Sequence, residues 1–84
     1  MNNMELKDTV ALMESDDYKD RFKAEYYQTK IRYEKLHKTL IKAEAGTLGF
    51  QLKCPLHLLR EQECDMMDYL KILEIRAEHE SIEL

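Results

Sequence analysis

The chain has 84 residues, a net charge of −4 and a pI near 5.3: enough for one domain, and the wrong sign for general nucleic-acid binding. Charged residues make up 36% and only two glycines and one proline occur, which argues for helix over sheet. No apolar run approaches the ~18–20 residues that span a membrane, and the uncharged start, with no apolar stretch behind it, predicts no secretory leader.

Residues 1–14 are predicted as a short amphipathic helix, with Leu6, Val10 and Met13 at i, i+4 and i+7. Asn2 with Glu5, or Asn3 before the acidic first turn, offers a start signal. Such a helix is marginal alone, so it is expected to pack on the rest of the chain or on a neighbour. The run Glu14-Ser15-Asp16-Asp17 ends it, and Ser15 or Asp16 can cap the next helix.

Residues 16–45 read as one long helix without Gly or Pro. Tyr18, Phe22, Tyr26, Thr29, Tyr33, Leu36, Leu40 and Ala43 alternate at spacings of four and three, close to a heptad seam. Ala24, Tyr27 and Ile31 form a smaller apolar patch on the opposite side. Gly46 suits a left-handed position after the last turn. In the loop over 46–54, Leu48, Phe50 and Leu52 alternate with more polar residues, so they are expected to fold over the open end of a hairpin as a plug.

A second helix is predicted over 55–80, with Pro55 as its first helical residue and Cys54 at or near its cap. Its main stripe is Leu59, Gln62, Met66, Leu70, Leu73 and Ala77, flanked by Tyr69, while Cys64, Ile72 and Ile75 lie on the other side. Residues 81–84 form a tail whose Ile82 and Leu84 dock or fray. The expected fold is therefore all-α: a single domain over 1–84, an antiparallel helical hairpin with a short N-terminal helix. Because one hairpin cannot bury both apolar patches, assembly into a helical-bundle homo-oligomer is expected, with Ala24, Tyr27, Ile31, Cys64, Ile72 and Ile75 as a self- or partner-interface.

Motifs for chemistry are weak. Cys54-x-x-His57 with Cys64, and His37 or His79 beyond, lacks the tight paired spacing of a zinc site. Cys54 and His57 lack a third group and an oxyanion donor set for nucleophilic catalysis. No metal, no cofactor and no enzyme activity are expected. Two cysteines make no disulfide framework, so a reduced, intracellular setting is expected.

Two surfaces remain. Residues 18–44 carry eight Lys/Arg against four Asp/Glu, and residues 56–80 carry three against seven. Lys19, Lys23, Lys30 and His37 line one edge of the first helix beside Tyr26 and Tyr33, and cations next to aromatic rings can hold phosphates and stack a base. The same tyrosines can equally be core residues with wet hydroxyls, and the lysines can lie along the seam. The second helix and its flanks carry Glu61, Asp65, Asp68, Glu74, Glu78, Glu80 and Glu83, an acidic surface able to occupy a basic groove.

The run Asp17-Tyr18-Lys19-Asp20-Arg21-Phe22-Lys23-Ala24-Glu25-Tyr26-Tyr27-Gln28, then Ile31–Leu40, resembles a family of small bacteriophage and prophage proteins related to an uncharacterised protein of a crAss-like gut phage. The second half continues the likeness with Leu58-Leu59-Arg60-Glu61-Gln62, Met66, Tyr69-Leu70, Leu73-Glu74 and Arg76-Ala77, so it covers about residues 16–84. The resemblance implies a phage accessory protein in the bacterial cytoplasm and brings no active site with it. Genes of this class often inhibit host antiviral systems. On that footing the expected partner is a cyclic nucleotide immune signal or a host defence protein such as a CRISPR effector, with no membrane. The alternative is a general structural or regulatory module with a host or phage protein partner.

Overall fold

The computed structural model describes residues 4–84, and every regular element among them is helical. A 3-10 turn over Leu6–Thr9 runs into a short helix, α1 (Val10–Met13), followed by two long helices, α2 (Tyr18–Ala45) and α3 (Leu56–Glu80). The N-terminal helix is thus split rather than continuous. Thr9 explains the tighter turn, since its hydroxyl donates to the Leu6 carbonyl at 2.7 Å and holds the backbone in i→i+3 geometry. The start is capped by Asp8, which accepts from the Glu5 N–H at 2.9 Å. The alternative start signals, Asn2 and Asn3, lie outside the described residues.

The cap of α2 is Asp17, whose side chain accepts from the Lys19 N–H at 3.0 Å. Ser15 has another role: its hydroxyl donates to Asp20 at 2.8 Å and accepts from the Asp17 N–H at 3.1 Å. At the far end Gly46 takes φ 75°, and the N–H groups of Gly46 and Thr47 return to the carbonyls of Ala43 and Lys42, a left-handed closure that satisfies two terminal acceptors. Pro55 is the cap residue of α3 rather than its first helical residue, its carbonyl accepting from Leu58 and Leu59.

α2 and α3 run antiparallel, side by side. Tyr18 meets Glu80, Tyr26 meets Glu74, Tyr33 meets Met67, His37 meets Glu63 and Glu44 meets Arg60. As the first partner advances along α2, the second recedes along α3. The core between them is Phe22, Tyr26, Leu70, Leu73 and Ala77, joined by Ile82 from the tail. Ile82 reaches it because Ser81 adopts the left-handed conformation (φ 56°), which reverses the chain so that the Ile82 N–H bonds the Ala77 carbonyl. Leu84, by contrast, is 37% exposed.

The N-terminal segment lies on the other side of α2. Gln28 donates from Nε2 to the Thr9 hydroxyl at 2.9 Å. Thr9 is fully buried, as is Ala24 one turn before Gln28. α2 is therefore the middle layer. The loop departs from the expected plug: Leu48 and Leu52 are half-buried, but Phe50 is 63% exposed. The chain bends at Gly49–Phe50, which breaks the period-2 alternation and turns the ring outward.

Charge is segregated along the 43 Å length. Residues 35–60, which form the loop end of the hairpin, carry five Lys/Arg and one Glu, whereas the remaining residues carry eight Lys/Arg and sixteen Asp/Glu. No helix among the described residues is long and apolar enough to cross a membrane.

Two substitutions test this packing. Leu73 is fully buried, so Leu73→Ala should lower unfolding stability by about 2–5 kcal/mol in a urea titration, while Phe50→Ser should stay within about 0.5 kcal/mol of the parent. Ser81→Gly should stabilise the fold by about 1 kcal/mol by removing the left-handed Cβ penalty.

Candidate anion-binding groove

Lys30 and Glu34, one turn apart on α2, form a ridge with a groove of about 400 Å³ on each side. The groove between α2 and α3 is lined by Tyr26, Tyr33, Met67, Leu70, Lys71 and Glu74 together with the ridge pair. The Tyr26 hydroxyl donates to Glu74 at 2.7 Å, and the Tyr33 hydroxyl lies 3.7 Å from the Met67 sulfur. The Lys30 ammonium sits 5.8 Å from the centre of the Tyr26 ring, within cation–π range. Two lysines face two glutamates here, so the groove is electrically balanced.

The Tyr26 phenol is pushed far above its ordinary value of 10 by burial, then by the hydrogen bond it donates to Glu74. Tyr26 thus serves as a fixed neutral donor in the wall and is half of a structural pair, as the core reading of the tyrosines expects.

Of the residues predicted for a ligand edge, Tyr26, Lys30 and Tyr33 come together in this groove. His37 stands beside it, stacked on Tyr33 at 5.9 Å, with Nδ1 2.5 Å from Glu63 Oε2. Lys19 is drawn to the opposite end of the hairpin, where its ammonium donates to the Ser81 carbonyl at 3.3 Å. Lys23 is half-buried and lines neither groove. Met67, Lys71 and Glu74 escape a reading along one helix because they arrive from α3.

The second groove lies on α2 beside Met4, the first described residue. Met4, Tyr27 and Ile31 supply apolar surface, and Lys30, Lys35 and Lys38 surround it with Glu34. Three cations thus face one carboxylate, and among the described residues none of the three lysines is held in an ion pair. The Tyr27 ring meets Tyr26 edge-on, with centroids 5.2 Å apart and planes at 78°, so an aromatic contact through α2's flank connects the two grooves. Lys35 and Lys38 are missed by a search beside the main seam, yet their signal is present: both lie on the helix face of Tyr27 and Ile31.

The predicted interface residues divide. Ala24 is 1% exposed within the chain, so it is corrected to an internal packing residue. Tyr27 and Ile31 line the lysine groove, whereas Cys64, Ile72 and Ile75 are exposed on α3. Cys54 is also an exposed free thiol, and among the described residues no three His, Cys, Asp or Glu side chains group as metal ligands.

A family model described as Sequestin matches residues 16–79. The chain belongs to the Sequestin family. No curated protein and no solved structure matches it. The stretch shared with Sequestin spans α2 and nearly all of α3, so it includes every groove residue except Met4. The family name points to a role in binding and holding a ligand or partner.

The Tyr26–Glu74 pair makes a pH prediction. A phenol with a raised pKa contributes stability that is present below pH 10, its unfolded value, and lost as pH rises toward its folded value. Denaturant midpoints should therefore fall between pH 9 and pH 11 in the parent, and Tyr26→Phe should fall less steeply over the same interval.

Proposed function

We propose that this chain is a non-enzymatic phage accessory protein that inhibits host antiviral defence by sequestering a cyclic nucleotide immune signal in the bacterial cytoplasm. Membership of the Sequestin family supports holding a ligand, and the resemblance to small phage proteins supports the setting. The choice of ligand rests on one observation: Lys30, Lys35 and Lys38, outside any ion pair among the described residues, ring the apolar surface of Tyr27 and Ile31. Phosphates are attracted by ammonium groups, and a base has an aromatic ring and an aliphatic side chain to lie against. The balanced groove between α2 and α3 suits an anion less, because Glu34 and Glu74 would oppose its phosphates. Sequestration requires only affinity and enough protein, since each occupied groove removes one signal molecule.

Calorimetric titration with cyclic di- and trinucleotides tests this directly. At least one should bind the parent, and Lys35→Glu combined with Lys38→Glu should weaken it by at least about tenfold, ~1.4 kcal/mol, with helicity unchanged by circular dichroism. Equal affinity in the double variant would remove the ligand from this groove. If no cyclic nucleotide binds, and native mass spectrometry of protein from a host lysate shows no retained nucleotide mass, the sequestration reading fails and direct binding of a CRISPR or other defence effector takes its place.

A further inference from the structure

On one side of the hairpin two grooves meet. The balanced groove between α2 and α3 shares Tyr26, Lys71 and Glu74 with a second groove of about 650 Å³ that continues to the tail. Together they make one furrow, running from Tyr33 and Met67 to Glu83 and Leu84. Met67 to Glu78 alone covers roughly 16 Å along α3, about three helical turns. The floor is the edge of the core, with Tyr26, Leu70, Ala77 and Ile82 buried. The walls carry exposed apolar side chains: Met67 is 50%, Ile75 49% and Leu84 37% exposed.

Charge changes along the furrow. Near Tyr33 the two lysines match Glu34 and Glu74, but toward the tail Lys71 faces Glu74, Glu78 and Glu83. Among the described residues neither Glu78 nor Glu83 is held in an ion pair.

We propose that this furrow docks an amphipathic helix of another protein, one whose apolar stripe is flanked by Lys or Arg. The shape of the occupant follows from the backbone. Both walls are helices, whose interior N–H and C=O groups are bonded along their own turns, so an extended segment would find no ladder to join. A helix brings its backbone bonds with it and needs only an apolar face. Apolar anchors at i, i+4 and i+7 span roughly 10 Å, against roughly 12 Å between Met67 and Ile75 along α3. The charge of the occupant follows from the rim: Glu74, Glu78 and Glu83 attract basic flanks and repel acidic ones. A copy of α3 is disfavoured on that ground, since it carries seven Asp/Glu against three Lys/Arg. The furrow lies across the Lys30–Glu34 ridge from the lysine groove, so a helix held there is separate from the ligand reading.

The probe is a fluorescent leucine–lysine peptide of about 14 residues, with its leucines spaced as a helical stripe. An anisotropy titration with the full chain should show saturable binding. A peptide of the same composition with scattered leucines should bind at least about tenfold more weakly. Glu78→Lys combined with Glu83→Lys should weaken the striped peptide by at least about tenfold, and Ile75→Ser by at least about threefold. Glu61→Lys combined with Asp65→Lys makes the same charge change outside the furrow and should stay within about twofold of the parent. All four carboxylates are exposed, so circular dichroism should be unchanged in both double variants. Absence of saturable binding overturns the proposal. Equal binding of the scattered peptide, or an equal loss in the Glu61/Asp65 variant, reduces the effect to bulk charge and overturns it too. So does peptide binding that disappears as the chain's own concentration rises, because a second copy would then fill the furrow.

Discussion

Everything in this molecule depends on α2 having to satisfy two opposite faces at once. Phe22, Tyr26 and Leu40 are buried on the side of α3, while Ala24 and Gln28 face the N-terminal segment. A helix of 28 residues with one covered face would leave the other wet, and a chain this small has little apolar area to spare. The 3-10 turn and α1 therefore act as a partial third helix. They are much shorter than α2, and Met4, the first described residue, lines the lysine groove. Beyond that point the far face of α2 changes character, from Ala24 and Ile31 to Lys35 and Lys38.

The other rim is organised by tyrosine. Tyr18 and Tyr26 place their rings toward the core seam and their hydroxyls on Glu80 and Glu74 of α3. The arrangement joins apolar burial to polar satisfaction in one side chain, and it fixes the register of the two helices at the solvent boundary. At the open end Arg76 adds to the Tyr18–Glu80 contact and lies 5.0 Å over the Phe22 ring, so the charged cluster there also covers the core. The Glu80 carboxyl is held below its usual range chiefly by the hydrogen bond from Tyr18. Acidification through that lowered range removes this contribution, since a depressed carboxylate pKa stabilises only while the group is ionised.

Periodicity made the two long helices legible, because heptad-like spacing over many turns leaves few alternatives. Gly46 was equally readable, as its left-handed turn is local chemistry. Details settled by competition between neighbouring groups were not. Asp17, rather than Ser15 or Asp16, caps α2 because the Ser15 hydroxyl engages Asp20 and the Asp17 N–H. Phe50 points outward because a bend interrupts an alternation that is unbroken in the sequence. The candidate site was half legible: Lys30, Tyr26 and Tyr33 lie on one helix, but the walls that turn a row into a groove come from α3 and the N-terminal segment. Such contacts depend on tertiary packing, which spacing along a single helix does not encode.

The loop end of the hairpin carries five cations and one carboxylate, on a molecule whose other residues are strongly acidic. The protein is thus an electric dipole with Lys35 and Lys38 toward its positive pole. A small anion is repelled by the acidic α3 and N-terminal segment and drawn toward the loop end. For the anion proposed above, such a field would favour encounters at the groove, and the effect would shrink as added salt shortens its reach. Net charge alone hides this asymmetry; under the proposed function, the acidic body would be the part that aims the ligand.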